Sequence, residues 1–185
     1  FNIDSIPTRE MAKITTLITN DSYLVKGTVR EHLSVRKNIT EEEMYNALEK
    51  VNLKDFVEEH GGLDYELAIG AANLSGGQKQ RLLAAKAILK DSYLYILDEA
   101  VSNIDDYSKE IVLNAFDSIK EGKIIIVISH DLETVTNADN IYVLKDKKII
   151  EEGTHDELIE ENSLYRRLFT DQQQLKSKFL AKEVE

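Results

Sequence analysis

The sequence contains no cysteine and no tryptophan among its 185 residues, and its one proline is Pro7. Without cysteine there is no disulfide framework, no thiolate metal site and no cysteine nucleophile, so thiol enzymes are excluded. Because there is also no low-complexity tract and no internal repeat, we find no linker that would divide the chain into independent domains. These absences indicate one globular domain that relies on a buried core.

Long apolar runs and an excess of positive charge are also missing. The longest strongly apolar run extends from Ile124 to Ile128, whereas a helix that spans a bilayer needs roughly 20 apolar residues. Lys and Arg total 23 against 34 Asp and Glu, and this net charge of −11 argues against a protein that coats nucleic acid phosphates. We therefore expect a folded domain with no nucleic acid partner and no membrane span within this sequence.

The first half of the chain has helical patterns. Thr40 and Glu43 have the spacing of a capping box and precede apolar residues at helical intervals, which predicts a helix over about 40–51. A shorter helix is predicted over 53–59, where the following glycine pair ends it.

The second half alternates between short apolar runs and helical patterns. Buried strands are predicted over 93–97 and 123–128, on either side of a helical stripe that starts just after Asp105 and Asp106. A strand, a helix and a strand at this spacing predict a βαβ unit with two parallel strands. A hairpin is predicted over 141–151, and amphipathic segments close the chain. The expected fold class is α/β, a partly parallel sheet flanked by helices.

Polar residues follow both predicted strands at the point where each strand ends. Asp98 and Glu99 follow the first strand, and Ser129 and His130 follow the second. Because ligands of open parallel sheets bind outside the carboxyl ends of the strands, we expect both pairs to face one crevice. An aspartate at such an edge can hold Mg²⁺, and a neighbouring glutamate can orient an attacking water. Two acids after a strand are also typical of a simple capped turn.

A pair of glycines begins another predicted helix, which runs to about Leu89. Ser75 and Gln78 have capping-box spacing around Gly76 and Gly77. One interpretation is a well-capped core helix. However, two glycines in a first helical turn cost about 1 kcal/mol each relative to alanine. We therefore favour a role in which they expose backbone N–H groups to a phosphate at the helix N-terminus.

Taken in order, these motifs resemble the nucleotide-binding domain of ATP-binding cassette (ABC) transporters. The LSGGQ sequence at 74–78 is similar to that family's signature, and YLYILDE at 93–99 resembles its Walker B strand with the catalytic glutamate. Residues 102–105 resemble its D-loop, and 129–131 resemble its switch histidine. Residues 21–31 resemble the stretch that follows the Q-loop in ABC exporters, and residues 152–168 resemble an exporter's C-terminal tail. The resemblance implies a P-loop NTPase-like fold with an α-helical signature subdomain.

The resemblance also implies roles for the matching residues, with ATP and Mg²⁺ as cofactors. Glu99 and His130 would be catalytic, the first polarising the attacking water and the second contacting the γ-phosphate. Asp98 and Asn20 would hold Mg²⁺. The ATP-contacting set would be Ser75, Gly76, Gly77, Gln78 and Asp105.

The implied partners are a second ABC ATPase domain and a transporter's transmembrane domain. The two ATPase domains would form a homodimer or a heterodimer, with the signature of one contacting ATP held mainly by the other. Asp105 would link the two ATP sites across that dimer. The membrane domain would be fused to the ATPase domain or separate from it. The ATPase domain would lie at the cytoplasmic face of the cell membrane.

One motif of the family is absent. No G-x-x-x-x-G-K-[S/T] loop occurs, because the only Gly-Lys pair is Gly122-Lys123, with Ile124 after it. Asn20 also stands where the family usually has glutamine. Because the phosphate-binding loop is missing, we expect Phe1 to fall roughly a third of the way into a complete domain. We also expect an exposed apolar sheet face and a chain that is inactive on its own.

Within that partial domain the sequence predicts three segments. Residues 21–90 would form the helical signature subdomain, 91–153 the core from Walker B to the switch histidine, and 154–185 the C-terminal helices.

Three functions are consistent with these motifs. The first is an exporter ATPase that couples MgATP hydrolysis to transport, and the second is a non-hydrolysing module that supplies LSGGQ in trans. The third is the C-terminal lobe of a chromosome-maintenance ATPase, although 1–13 lacks the heptads expected of its coiled coil.

Overall fold

The computed structural model describes residues 5–160 and 162–183, which belong to two compact units, Phe1–Ile128 and Ser129–Glu185. The first unit contains strands β1 (Thr15–Thr19), β2 (Gly27–Thr28), β3 (Glu66–Leu67), β4 (Leu94–Asp98) and β5 (Ile124–Ile128). Its helices are α1 (Thr8–Ile14), α2 (Val29–Leu33), α3 (Glu41–Lys50), α4 (Lys54–Glu59), α5 (Gly76–Lys90) and α6 (Asp106–Asp117). The second unit contains β6 (Ile141–Lys145), β7 (Lys148–Gly153), α7 (His155–Glu160) and α8 (Leu164–Glu183).

The main sheet of the first unit is parallel, with strand order β1-β4-β5. Thr19, Asp98 and Ile128 are register partners at the ends of the three strands, so the carboxyl ends lie level at one edge. The predicted βαβ unit is confirmed as β4-α6-β5. Strand β1 and the preceding α1 were not predicted from the sequence.

One face of this sheet carries the core. Tyr95 and Leu97 of β4 are buried, and the Tyr95 ring meets the Phe116 ring of α6 edge-on with centroids 5.4 Å apart. Buried leucines and alanines of α5 and apolar residues of α3 belong to the same cluster. Removing this apolar surface from water supplies the main stabilisation of the unit.

The opposite face of the sheet is open to solvent. Leu17 and Ile126 are register partners of Ile96 on this face and are 58% and 44% exposed, and Ile124 is 63% exposed. The expectation of an exposed apolar sheet face is therefore met. The prediction that the second apolar run is a buried strand is wrong for this face. A continuous apolar run indicates burial on both faces, but the buried residues of α5 and α6 pack on the side of Tyr95.

Helix starts follow the capping signals in the sequence. The Thr40–Glu43 and Ser75–Gln78 capping boxes are both present, so the predicted helices α3 and α5 are confirmed, as is α4. A third box, not predicted, joins Thr28 and Glu31 at the start of α2. Each box satisfies backbone N–H groups that the first helical turn leaves unpaired.

The second unit is a hairpin followed by helices, as predicted. Strands β6 and β7 pair antiparallel, and α7 and α8 follow them. Ile141, Leu158 and Tyr165 form its small core. Across residues 5–160 and 162–183, no helix combines the length and the apolar character that crossing a membrane requires.

Candidate functional site

Two predicted metal ligands lie at the ends of adjacent strands. Asn20 directly follows β1 and is exposed in a tight turn, in which the Ser22 amide donates to the Thr19 carbonyl at 3.1 Å. Asp98 is the last residue of β4 and the register partner of Thr19. The parallel pairing therefore brings Asn20 and Asp98 to the same edge of the sheet.

Glu99 comes next and has a constrained backbone. Its φ of +51° is in the left-handed region, which non-glycine residues rarely adopt. Its amide donates to the Ile128 carbonyl at 2.9 Å, and its own carbonyl accepts from the Ser102 hydroxyl at 2.8 Å. Such a conformation costs of order 1–3 kcal/mol and persists where the surroundings enforce it. These bonds fix the direction in which the Glu99 side chain leaves the sheet edge.

A further contact to this turn comes from helix α5. The side-chain amide of Gln80 donates to the carbonyl of Ala100 at 2.5 Å, directly after Glu99. Sequence reasoning assigned no role to Gln80. Its position two residues beyond the LSGGQ motif was the available signal.

The start of α5 has the capping geometry that the spacing of Ser75 and Gln78 predicts. The Ser75 hydroxyl accepts from the Gln78 amide at 3.1 Å, and the Gln78 side chain accepts from the Ser75 amide at 2.8 Å. Gly76 and Gly77 occupy the first two helical positions, whose N–H groups have no acceptor within a helix. The Ser75 hydroxyl proton stays free to donate, because capping uses only an oxygen lone pair.

The two glycines differ in their surroundings. A β-carbon on Gly77 would lie 2.7 Å from Oδ2 of Asp105 and 2.8 Å from Cβ of Ser108, closer than real β-carbons come to other atoms. A β-carbon on Gly76 would meet nothing within 4 Å. Close packing of α5 on α6 therefore explains Gly77, while Gly76 has no such structural reason. The interpretation that the glycine pair exposes backbone N–H groups to a phosphate therefore depends mainly on Gly76.

Asp105 caps α6 beside Gly77. Its carboxylate accepts from the Ser108 amide at 2.8 Å. Hydrogen bonds from the amide and then the hydroxyl of Ser108 lower the pKa of Asp105 below its ordinary value, because they stabilise the charged form. The structure thus brings Gly77 and Asp105 together, two members of the predicted ATP-contacting set.

His130 belongs to the second unit. It lies in a segment where the Asp131 amide donates to the Ser129 hydroxyl at 3.0 Å, ahead of a short 3₁₀ helix, Leu132–Val135. The prediction that His130 and Asp98 face one crevice concerns both units and stays a prediction.

The ligand oxygens at the sheet edge suit a magnesium ion that binds together with a nucleotide. In the described ranges, no group of three or more His, Asp or Glu side chains is arranged to hold a metal ion. Mg²⁺ is usually held by one or two carboxylates together with water and substrate phosphates. The Asp98 carboxylate and the Asn20 amide oxygen fit that pattern.

Comparison with known proteins gives concordant results. The ABC transporter family model matches residues 4–102. An uncharacterised ABC transporter ATP-binding protein of Haemophilus influenzae is 48% identical over 161 residues, which cover 86% of this chain and 29% of that protein. An ATP-dependent lipid A-core flippase of Francisella tularensis is 34% identical over 175 residues, which cover 90% of this chain and 29% of the flippase.

A solved structure agrees with these relatives. A bacterial Atm1-family ABC exporter with ATP bound superposes with a TM-score of 0.84 at 25% identity, over 92% of this chain and 30% of that chain. The sequence therefore spans about 30% of the length of the proteins that it matches.

Proposed function

The chain belongs to the ABC transporter family, and on this basis we propose that it hydrolyses MgATP in an exporter, coupling hydrolysis to transport across a membrane. The observation that carries this proposal is the placement of Asn20, Asp98 and Glu99 at the ends of adjacent parallel strands. Edges of this kind are where nucleotides bind in open α/β sheets.

Asp98 and Asn20 would hold Mg²⁺ at this edge. When bound, the ion would neutralise charge that develops on the phosphates of ATP. Glu99 would accept a hydrogen bond from the attacking water and polarise it. Because phosphoryl transfer depends mostly on positioning and electrostatics, a glutamate with a rigid backbone suits this role better than a flexible one.

The signature helix would serve a second ATP molecule. Ser75, the amides of Gly76 and Gly77, and Gln78 would contact the γ-phosphate of ATP held mainly by a partner domain. Support comes from the exposed N-terminus of α5, where unpaired N–H groups and the helix dipole favour an anion. We assign Asp105 to the link between the two sites and His130 to a γ-phosphate contact.

The phosphate-binding loop would come from outside these 185 residues. We call the chain together with that loop, a second ATPase domain and the membrane domain the assembled ATPase. In it, residues 21–90 would form the helical signature subdomain, 91–153 the core and 154–185 the C-terminal helices. We place it at the cytoplasmic face of the cell membrane and expect the 185 residues alone to be inactive. The membrane helices would select the transported substrate.

Replacement of Glu99 tests the proposal. Glu99→Gln in the assembled ATPase should abolish ATP turnover while ATP still binds, because the amide is a far weaker base than the carboxylate. Glu110→Gln is the matched control, since Glu110 is exposed on α6. Steady-state hydrolysis at the wild-type rate by Glu99→Gln would falsify the assigned role.

A second candidate function follows from the missing loop. In it the chain hydrolyses nothing and supplies LSGGQ in trans to a partner that carries its own phosphate loop. The two candidate functions differ in which residues of this chain ATP turnover requires. Turnover that is lost in Ser75→Arg but retained in Glu99→Gln favours the trans-acting module. Loss in both variants favours the hydrolytic domain.

A further inference from the structure

Helix α8 contacts the segment that carries His130 through one side-chain amide. Gln172 Nε2 donates to the carbonyl of His130 at 2.6 Å, and Gln172 Oε1 accepts from the amide of Leu132 at 3.0 Å. A single side chain therefore pairs with the backbone at residue 130 and again two residues later. Because both of its polar atoms are used, the amide has one orientation in this contact.

Neighbouring side chains of α8 contact the same segment. Gln173 donates to the carboxylate of Glu133 at 2.7 Å. Lys176 forms an ion pair with Glu133 and lies 3.5 Å from Oδ1 of Asp131. Residues 172 and 176 are one helical turn apart and share a face of α8.

The backbone of the His130 segment has no strand or long helix of its own. It follows β5 directly and precedes the short 3₁₀ helix Leu132–Val135. Backbone groups in such a segment need partners from elsewhere in the fold. The Gln172 amide supplies two of them, at the carbonyl of His130 and the amide of Leu132.

We infer that Gln172 is a positioning residue for His130, and that α8 holds the His130 segment, residues 129–135, in one backbone conformation. This inference rests on the proposed function, in which His130 touches ATP. A side chain that must meet a transferring phosphate is more effective when its backbone is already fixed, because misplacement by about 1 Å can cost a hundredfold in rate.

The first test measures the contact itself in the 185-residue chain. Gln172→Met keeps side-chain length and helix propensity but removes both hydrogen bonds. Gln174→Met is the matched control, because Gln174 is exposed on the same helix. Amide hydrogen exchange at 129–135 should quicken about tenfold in Gln172→Met, the effect of losing one to two hydrogen bonds. It should stay at the wild-type rate in Gln174→Met.

Two exchange results would overturn the inference. The first is wild-type protection of 129–135 in Gln172→Met. The second is a loss of protection spread evenly over the second unit, which would indicate a general stabilising contact.

The second test measures the consequence in the assembled ATPase. Gln172→Met should lower kcat about tenfold and change the KM for ATP less than twofold, while Gln174→Met changes neither. Wild-type kcat in Gln172→Met would contradict the inference even if exchange is faster.

A comparison with His130→Ala and Glu99→Gln separates this failure from failure of the proposed function. If those two variants are inactive and Gln172→Met is fully active, only the positioning role is wrong. If those two variants turn over ATP normally, the proposed function itself is wrong.

Discussion

A β-carbon on Gly77 would lie 2.8 Å from the β-carbon of Ser108, so helices α5 and α6 meet with no space for even a methyl group. Ser108 in turn donates its backbone amide to Asp105, the residue that caps α6. The first turn of α5 is therefore packed directly against the N-terminus of α6. In the proposed function, Gly77 and Asp105 would therefore both lie close to the same ATP-contacting surface.

This packing predicts opposite effects for two adjacent glycines. Gly77→Ala should lower the free energy of unfolding by about 1–3 kcal/mol, because the added methyl group overpacks a closed contact. Gly76→Ala should raise it by up to about 1 kcal/mol, because alanine favours the helix and meets nothing. Urea denaturation of both variants beside the wild type measures the two changes. Equal effects of the two substitutions would contradict the packing argument.

Gln80 provides a second prediction, since its amide donates to the carbonyl of Ala100 beside Glu99. Gln80→Met should lower the free energy of unfolding by about 1 kcal/mol, the net value of one hydrogen bond. It should also reduce kcat of the assembled ATPase, because the turn that directs Glu99 loses a restraint. Lys79→Met, one position earlier on α5, serves as the control. If Gln80→Met loses stability but keeps its full kcat, Gln80 supports only the fold.

The lowered pKa of Asp105 predicts how stability depends on pH. In the unfolded chain its pKa is roughly 3.9, and folding depresses it, so the stabilising contribution is complete above that value. The contribution is lost as pH falls through the lower, folded-state pKa. Asp105→Asn keeps a capping side chain without the charge. Its stability deficit relative to wild type should therefore be constant above about pH 5 and shrink in more acidic solution.

Urea denaturation from pH 2.5 to 7 tests this dependence. Asp139→Asn, which replaces an exposed aspartate, is the control and should show a smaller change in the deficit. A deficit in Asp105→Asn that stays constant down to pH 2.5 would argue against the assigned hydrogen bonds.

Local signals in the sequence were sufficient for much of the fold. The capping boxes at Thr40 and Ser75 were readable because a cap and its partner lie three residues apart. The βαβ unit was readable because apolar runs and helical spacing alternate within a short stretch. Asp98 and Glu99 could be assigned to a strand end on the same grounds.

What the sequence did not predict depends on contacts between distant residues. Strand β1 is a five-residue segment whose partner, β4, lies far along the chain, so little in its own sequence distinguishes it from a loop. Gln80 and Gln172 are ordinary helical glutamines until the fold places backbone carbonyls beside them. The exposed face of β5 was mispredicted because apolar composition reports hydrophobicity and does not report which packing partners are present.

The open side of the sheet has a consequence for how this chain is handled in solution. Leu17, Ile124 and Ile126 expose apolar surface on a sheet whose other side faces the core. Any molecule that binds this surface only in the folded state raises the apparent stability by mass action. The melting temperature of the chain alone is therefore lower than that of any complex in which this surface is covered. Because self-association, detergent or a partner chain could each cover this surface, a melting temperature is comparable between experiments only at stated concentrations of all three.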